Sequence, residues 1–350
     1  MAEKNGKTRP FNAVNYSAAR LAREKQRREY EQQKKEKLIF TMFVGIILVM
    51  ILLAILIFKS VLGGEPPVKD DTDTESIETE APTDTNEDVT PVSAVYEDKK
   101  IPKSDLYAGQ LLLINSSNAY RAAEDITLQN IYGSRTKFEK ASAKNGYVYS
   151  YYTAGTEEQL EADTLAALNA MADDFYSLTG NNDLYIHTNS AYVENASDEH
   201  ATGRAFDLSV FTIDSVRYEL DDPKVSPDFD WVKENYYKYG FIRRYPEGKT
   251  AETGVSDEPY HFLYVGIPHA YYMYKNDLCL EEYLELLRTA HTFNGDEGHL
   301  SITDENGVRY EVYFVAAEGD VVTVPVYINN EAYSVSGNNT DGFIVTVTLK

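Results

Sequence analysis

The chain has 350 residues, which is enough for two modest domains with extensions. Its 56 acidic and 33 basic residues leave a net charge of −23, the wrong sign for a protein that binds nucleic acid. A single cysteine, Cys279, excludes an intrachain disulfide, and its two leucine neighbours indicate a packed helix residue.

The first 58 residues predict a membrane anchor. Residues 1–37 contain 11 Lys and Arg against 5 Glu, and residues 38–58 form an uncharged apolar run of 21 residues that can cross a bilayer as a helix. The basic residues before the run place the N-terminus in the cytoplasm and the rest of the chain outside the cell. A cleaved signal peptide is the alternative, but its apolar region is usually shorter, about 7–15 residues. We therefore expect a retained single-pass helix in the lipid bilayer.

Residues 59–99 predict a disordered acidic linker. Residues 63–98 hold 12 acidic residues and one lysine among repeated Thr, Pro and Ser, with almost nothing to bury. A flexible chain of this length spans about 30–36 Å, enough to carry a domain away from the membrane. Everything after residue 37 holds 22 basic and 51 acidic residues, so the part predicted to lie outside is strongly acidic.

Residues 100–296 predict one folded domain. The clearest helix is predicted at 157–178, where apolar residues recur on one face before Gly180. Further helices are predicted at 227–239 and 276–289. Strands are predicted at 110–115, 184–189, 205–211, 241–245 and 261–265. Because helices and strands do not alternate strictly, we expect an α+β fold with a largely antiparallel sheet.

Candidate metal ligands lie within this domain. His200 precedes Gly203 and Asp207, and His261 follows much later with Glu258 three residues before it. Two imidazoles and a carboxylate can fill three of the four positions around zinc and leave the last for a water, which the metal makes nucleophilic. Glu258 is then placed to accept the proton of that water.

The spacing alone is weak evidence for a site. With 56 acidic residues, about one of the six histidines has Asp or Glu seven positions on by chance, and His187 with Glu194 repeats the spacing of His200 with Asp207. Gly203 distinguishes His200 and Asp207 from the other pair, because it permits a tight turn before an alternating strand that would hold Asp207 rigidly. A carboxylate in an otherwise apolar strand also needs a cation.

These residues resemble the zinc D-alanyl-D-alanine carboxypeptidases of bacterial cell walls. That family's pattern runs Ser-x-His-x-x-Gly-x-Ala-x-Asp and later Glu-x-Trp-His, which is similar to the segments at 198–207 and 258–261. The similarity extends to the segments at 239–246, 253–254 and 264–266, and covers about residues 103–287.

The resemblance implies a function and a role for each motif residue. The implied zinc ligands are His200, Asp207 and His261, and the implied catalytic base is Glu258. The candidate substrate-binding residues are Ser190, Tyr192, Arg244 and Tyr260, of which Tyr260 stands where the family has tryptophan. The implied protein is a membrane-anchored, extracytoplasmic zinc metallopeptidase that hydrolyses peptidoglycan stem peptides. Its implied fold is the one shared by lysostaphin-type peptidases and the hedgehog signalling domain.

The sequence departs from the family at one substrate-binding position. Relatives carry Ser-Gly-Tyr-Arg-Ser before the first histidine, and the arginine holds the terminal carboxylate of the substrate. Val193 occupies that position here, and valine cannot clamp a carboxylate. Arg204 or Arg244 is a candidate replacement. Two alternatives therefore stay open: a peptidoglycan endopeptidase or amidase of the same fold, and a catalytically inactive wall-binding module.

Residues 297–350 predict a small C-terminal β unit. Alternating, β-branched segments at 308–315, 321–328 and 343–349 are separated by turn sequences that contain glycine. The unit either packs on the preceding domain and completes its fold, or binds wall polymer or a partner.

Overall fold

The structure is a computed structural model, and it describes residues 96–121, 126–212, 215–327 and 332–349. The predicted membrane span at 38–58 and the predicted linker as far as residue 95 lie outside these residues. Within the described part of the chain, the helices are too short or too polar to cross a bilayer.

The elements are numbered in chain order over the described residues. The strands are β1 (Tyr96–Pro102), β2 (Leu128–Asn130), β3 (Lys137–Glu139), β4 (Tyr147–Tyr149), β5 (Tyr152–Thr153), β6 (Gln159–Glu161), β7 (Leu184–Ile186), β8 (Ala205–Phe211), β9 (Arg217–Tyr218), β10 (Phe241–Arg243), β11 (His261–Tyr264), β12 (Leu300–Thr303), β13 (Arg309–Ala316), β14 (Val321–Tyr327), β15 (Ala332–Gly337) and β16 (Gly342–Leu349). The α-helices are α1 (Ile131–Ser134), α2 (Ala162–Thr179), α3 (Asp230–Asn235), α4 (Thr250–Thr253), α5 (Ile267–Asn276) and α6 (Leu280–Ala290). Short 3-10 turns cover Lys103–Tyr107, Glu199–Thr202, Pro227–Phe229 and Tyr236–Tyr239.

A central sheet carries strands in the order β10-β11-β8-β7-β5, and β9 also pairs with β8. Its strand pairs are antiparallel except for β5 with β7, which run parallel. Helices α2 and α3 pack on one face, where they share a core with apolar residues of β7 and β8. The mixed fold with a largely antiparallel sheet therefore agrees with the prediction.

Strand β8 passes between two cores. Phe206, Leu208 and Val210 project into the core under α2, whereas Ala205 joins a second core with α5, α6 and the C-terminal strands. Because side chains alternate along a strand, Asp207 lies on the same face as Ala205. On this face the side chain of Asp207 is 18% exposed and Phe211 is 36% exposed, whereas Ser209 between them is buried.

Helix α2 forms where the apolar period predicted a helix, but it begins later. Glu161 caps it, since its carboxylate accepts hydrogen bonds from the backbone N–H groups of Asp163 and Thr164. Gly180, with φ of 68°, ends it in the left-handed conformation. The residues just before the cap form β6, which pairs with β2. The predicted start at residue 157 was therefore wrong.

Three other predicted elements differ from the structure. Residues 110–115 are buried or half-buried but form no strand, and the backbone N–H of Leu113 donates instead to the carbonyl of Asn338. The predicted helix at 276–289 is interrupted because Asp277 adopts a φ of 52°, which leaves the buried Cys279 at the N-cap of α6. The predicted helix at 227–239 is divided into a 3-10 turn, α3 and another 3-10 turn.

The C-terminal strands form a four-stranded sheet in the order β12-β13-β16-β15. One face of this sheet covers the ribbon of β1 and β14, and a shared apolar core lies between them. The other face packs on α5 and α6 through the second core. Strand β1 begins at Tyr96, so residues 96–99, which were predicted to be linker, are ordered by pairing with β14.

His269 joins the C-terminal sheet to the helices. Its ring is buried, with Nδ1 2.8 Å from the hydroxyl of Tyr283 on α6 and Nε2 3.0 Å from the hydroxyl of Thr346 on β16. Burial lowers the pKa of His269 to about 3. The folded protein therefore holds this imidazole neutral, whereas the unfolded chain protonates it below about pH 6.5.

Stability should consequently fall as the pH drops below 6.5. The pKa of His269 is lower in the folded state than in the unfolded state. The free energy of unfolding therefore falls by about 1.4 kcal/mol for each pH unit between about 6.5 and 3. We expect His269→Gln to flatten the dependence of the unfolding free energy on pH in this window by that amount, measured by urea unfolding from pH 7 to pH 4.5. An identical slope in the variant and the wild-type protein would contradict this role.

Candidate active site

His200 is held by a 3-10 turn at the entrance to β8. Asp198 caps the turn by accepting a hydrogen bond from the backbone N–H of His200 at 3.1 Å. Gly203 ends the turn with φ of 70°, and a Cβ there would lie 2.9 Å from the side chain of Leu128. The turn therefore needs glycine for its conformation and for space.

The register of two strands brings the other candidate ligands together. His261 is the first residue of β11, and it lies directly opposite Asp207 of β8. Opposite residues in an antiparallel pair project from the same face. Nδ1 of His261 is 2.9 Å from Oδ1 of Asp207, and Nε2 of His200 is 3.5 Å from the same oxygen.

The donor atoms of these three residues fit a divalent metal ion. All of them lie within 4.8 Å of one another. Ligands about 2.0–2.2 Å from a tetrahedral zinc are about 3.3–3.6 Å apart, close to the two distances measured here. Nε2 of His200 is buried and has no hydrogen-bond partner among the described residues, as a nitrogen reserved for a metal requires.

A carboxylate is hydrogen-bonded to His200, and a second one lies near His261. Oδ1 of Asp198 lies 3.1 Å from Nδ1 of His200, and Oε2 of Glu199 lies 3.8 Å from Nε2 of His261. Carboxylates of this kind set the tautomer and the angle of metal-binding histidines. The ring of Tyr245 stacks on His261 with centroids 5.4 Å apart.

A buried ion-pair network supports Glu199. Nε of Arg244 donates to Glu199 at 2.7 Å, and its two terminal nitrogens donate to Glu281 of α6 at 2.9 and 2.7 Å. The hydroxyl of Tyr245 donates to the other oxygen of Glu199 at 3.1 Å. Arg244 is 0% exposed, so its guanidinium stabilises the positions of Glu199 and Glu281 behind the site. The prediction that Arg244 contacts substrate does not match this position.

The charges of the site reinforce one another. Burial disfavours the charged imidazole of His200, but the carboxylates of Asp198 and Asp207 raise its pKa to about 9. Burial alone would raise the pKa of Glu199, yet His261 and Arg244 lower it. The pKa of Asp207 is lowered in the same way, against burial, by the two imidazoles. A metal must displace protons from the histidines, so its affinity rises with pH.

Glu258 lies beside the cluster in a tight turn. Its backbone carbonyl accepts a hydrogen bond from the N–H of His261 at 3.1 Å, and its own N–H donates to the carbonyl of Tyr245 at 3.0 Å. Burial raises the pKa of the half-buried Glu258 side chain, while the charges of His261 and Asp207 act in opposite directions. A raised pKa suits a carboxylate that takes up and releases protons near neutral pH.

Comparison with known proteins adds independent information. Over 261 residues the chain is 31% identical to a D-alanyl-D-alanine carboxypeptidase of Enterococcus faecium, which covers 72% of this chain and 79% of that protein. This chain belongs to the D-alanyl-D-alanine carboxypeptidase family. The family model described as VanY, D-alanyl-D-alanine carboxypeptidase, matches residues 173–267, which include the candidate ligands and Glu258. The family predicted from the motifs is thereby confirmed.

Two further relatives extend the match. The bifunctional D-Ala-D-Ala dipeptidase and D-Ala-D-Ala carboxypeptidase VanXYC of Enterococcus gallinarum is 38% identical over 95 residues, 25% of this chain and 47% of that protein. The crystal structure of the vancomycin-resistance D,D-dipeptidase VanXYg aligns with a TM-score of 0.56 at 24% identity, and covers 73% of this chain and 100% of that one. The second comparison shows a shared fold.

The remaining predicted site residues of this carboxypeptidase-family chain are held in place by backbone hydrogen bonds. The carbonyl of Ser190 accepts a hydrogen bond from the N–H of Asp207 at 2.7 Å, and the carbonyl of Tyr260 accepts one from Leu208 at 2.9 Å. The N–H of Tyr192 donates to the carbonyl of Gln159 at 3.0 Å, which ties the loop before His200 to β6. Ser190 is buried, whereas Tyr192 and Tyr260 are half-buried.

The position of Val193 bears on the missing arginine. Its N–H donates to the carbonyl of His200 at 3.2 Å, so the valine stands next to a candidate metal ligand. Of the two proposed replacements, Arg204 donates to the carbonyl of Gly109 at 2.6 Å and Arg244 is enclosed by carboxylates. Among the described residues, valine therefore stands at the position where the resemblance implied an arginine.

Sequence reasoning missed the orienting residues Asp198, Glu199, Tyr245 and Glu281. A charged pair directly before His200 was a signal for the first two. Glu281 had no local signal, because it reaches the site only through Arg244, 37 residues away.

Two neighbouring arginines give a direct test of the buried network: Arg243, the last residue of β10, and Arg244, which follows it. Arg244→Ala should lower the free energy of unfolding by about 3–5 kcal/mol, since it leaves buried carboxylates without a partner. Arg243→Ala removes a pair with Asp221 that is partly exposed, with N–O distances of 3.1 and 3.3 Å, and should cost about 1 kcal/mol or less. Urea unfolding of both variants measures the difference, and equal losses would contradict the assignment.

Proposed function

We propose that this protein is a membrane-anchored zinc carboxypeptidase that removes the terminal D-alanine from peptidoglycan stem peptides outside the cell. The observation that carries the proposal is the convergence of His200, Asp207 and His261, with Glu258 beside them, in a chain of this family. The relative in Enterococcus faecium is named for the same activity.

His200, Asp207 and His261 would hold the zinc ion. Zinc bound there supplies a Lewis acid that polarises the scissile carbonyl and lowers the pKa of a water molecule. Glu258 then accepts a proton from the attacking water and delivers it to the nitrogen of the leaving D-alanine. One water is consumed, the C–N bond breaks, and the carboxylate of Glu258 is regenerated.

The protein's own residues keep this geometry fixed. Asp198 orients the imidazole of His200, and hydrogen bonds from Arg244 and Tyr245 keep Glu199 in place near His261. Burial of His261 and the rigid β8 and β11 strands hold the donor atoms in position before the reaction.

A second candidate function is hydrolysis of an internal bond in wall peptides by the same groups. Val193 favours this candidate, because a valine beside His200 cannot bind a terminal carboxylate. The products distinguish the two: release of free D-alanine from a pentapeptide supports the carboxypeptidase, and cleavage of cross-bridges without D-alanine supports the endopeptidase.

Membrane anchoring is part of the proposal and rests on residues 1–58. The basic residues 1–37 followed by the uncharged span 38–58 favour a helix with the N-terminus in the cytoplasm. The acidic linker would then give the catalytic domain reach toward the wall.

Metal dependence can be tested with matched histidine variants. The purified protein should bind one zinc per chain, and His200→Ala should lose both the zinc and the release of D-alanine. Glu258→Gln should keep the zinc and lose about 10²–10⁴-fold in kcat, because it removes only proton transfer. Metal analysis and a D-alanine assay give the two readouts.

His187→Ala is the matched control, since His187 has the same spacing to an acidic residue but lies outside the cluster. It should keep zinc and activity. Full activity of His200→Ala after exhaustive chelation would overturn the zinc assignment.

The anchor is tested by cell fractionation. The full chain should sediment with membranes and resist extraction at alkaline pH, whereas a chain that starts after residue 58 should stay in the soluble fraction. Protease added to wall-free intact cells should digest the catalytic part. Recovery of the full chain in the soluble fraction would contradict the anchor.

A further inference from the structure

The face of the central sheet that carries the candidate metal centre is exposed again at Phe211, beyond the buried Ser209. Asp207 and Phe211 both project onto this face from β8, because their positions differ by four and side chains alternate along a strand. Tyr185 lies opposite Ser209 on the next strand, and Tyr152 lies opposite Tyr185 on the strand after that, so both tyrosines share the face.

Tyr152, Tyr185 and Phe211 lie on neighbouring strands at this face and are named here the aromatic platform. The rings of Tyr185 and Phe211 stack with centroids 4.9 Å apart and an interplanar angle of 24°. Tyr152 is 42% exposed and Phe211 is 36% exposed. Exposed aromatic side chains beside a site are a common way to bind ligands, since they bury a large area at low entropic cost.

An exposed cation adjoins the platform. Strands β7 and β9 both pair with Val210, so they lie on opposite edges of β8, and β9 shares its edge with β11. Arg217 of β9 lies opposite Phe211 and is exposed. Tyr260, whose carbonyl bonds to Leu208, stands about 10 Å along the same edge, between Arg217 and His261.

Arg217 differs from the other arginines near the site. Arg244 is enclosed by Glu199 and Glu281, and Arg243 pairs with Asp221. Acidic residues outnumber basic ones after residue 37, by 51 to 22. An anionic peptide therefore needs a local cation to bind this surface, and Arg217 supplies one on the open face.

Distance decides which part of a substrate reaches the platform. Phe211 lies four residues beyond Asp207, about 13 Å along the strand, and an extended peptide covers about 3.3–3.6 Å per residue. The platform is therefore three or four residues from the scissile bond. A carboxypeptidase substrate has one residue after that bond, so only the part before the bond can extend this far.

We propose that the aromatic platform and Arg217 form a subsite for the stem peptide upstream of the terminal D-Ala-D-Ala. Arg217 pairs with the free carboxylate of the stem glutamate, which is linked through its side chain and lies three residues from the bond that is cut. The proposal rests on the proposed function and adds to it a preference for wall peptides over short D-Ala-D-Ala compounds.

The test compares three substrates with the full-length, zinc-loaded protein. They are the pentapeptide L-Ala-γ-D-Glu-L-Lys-D-Ala-D-Ala, the same pentapeptide with the glutamate carboxylate amidated, and diacetyl-L-Lys-D-Ala-D-Ala. In Arg217→Gln, the ratio of kcat/KM for the free pentapeptide to that for the short peptide should fall about tenfold, through KM. Its preference for the free over the amidated pentapeptide should disappear. In Phe211→Ser, the ratio should fall for both pentapeptides.

Matched controls come from the C-terminal sheet. Arg309→Gln and Tyr333→Ser remove an exposed arginine and an exposed tyrosine from β13 and β15, and should leave all ratios unchanged. Unchanged ratios in Arg217→Gln and Phe211→Ser, or an equal change in the controls, would overturn the subsite.

A binding measurement separates this proposal from the proposed function. Failure of the wild-type protein to release D-alanine from both pentapeptides and from the short peptide would count against the carboxypeptidase alone. Calorimetric titration of the zinc-loaded protein with the free pentapeptide then decides the subsite. Binding that weakens about tenfold in Arg217→Gln supports it, and equal binding rejects it.

Discussion

The register between β8 and β11 is the constraint on which the site depends. It sets His261 opposite Asp207, so that an imidazole and a carboxylate meet at 2.9 Å on one face of the sheet. A slip of one residue would turn His261 toward the core under α2 and separate it from Asp207. Phe206 and Phe262 lock this register, because their rings stack on the opposite face, 5.8 Å apart, in the interior of the domain.

A second constraint is the burial of charge behind the site. Glu199, Arg244 and Glu281 are joined by hydrogen bonds of 2.7–2.9 Å, and the arginine is fully enclosed. Burying these charges is costly unless each is paired, so the network tolerates few alternative arrangements. Its members come from the 3-10 turn before β8, from the end of β10 and from α6. The second core and the ion pairs thus tie the C-terminal helix to the histidine cluster.

Three groups of residues follow one another along the same face of the central sheet. At one end, Ala205 and Leu263 pack against α5 and α6. In the middle, Asp207 and His261 form the candidate metal centre, and at the other end Tyr185 and Phe211 stay open to solvent. This division supports the proposal that a chain with Val193 beside His200 recognises an anionic peptide through a cation farther from the scissile bond. In that proposal Arg217 of β9 is the cation and an upstream part of the substrate is its partner.

Short-range patterns in the sequence were enough to predict several elements of the fold and the family of this protein. Helix α2 follows from an apolar period and a glycine stop. The candidate ligands follow from two short motifs, one with His200, Gly203 and Asp207 and one with Glu258 and His261, because the residues within each motif lie close together in the sequence. The boundaries failed where tertiary pairing overrode local preference, as in β6 and β1.

Only the folded chain decided which charges meet. Arg244 reads from sequence as a substrate contact, but its partners Glu199 and Glu281 lie 45 and 37 residues away, and no local pattern links them. The aromatic platform was equally hidden, since Tyr152, Tyr185 and Phe211 come from three strands. Residues far apart in the sequence become neighbours through strand order and register, and these depend on the packing of the whole domain.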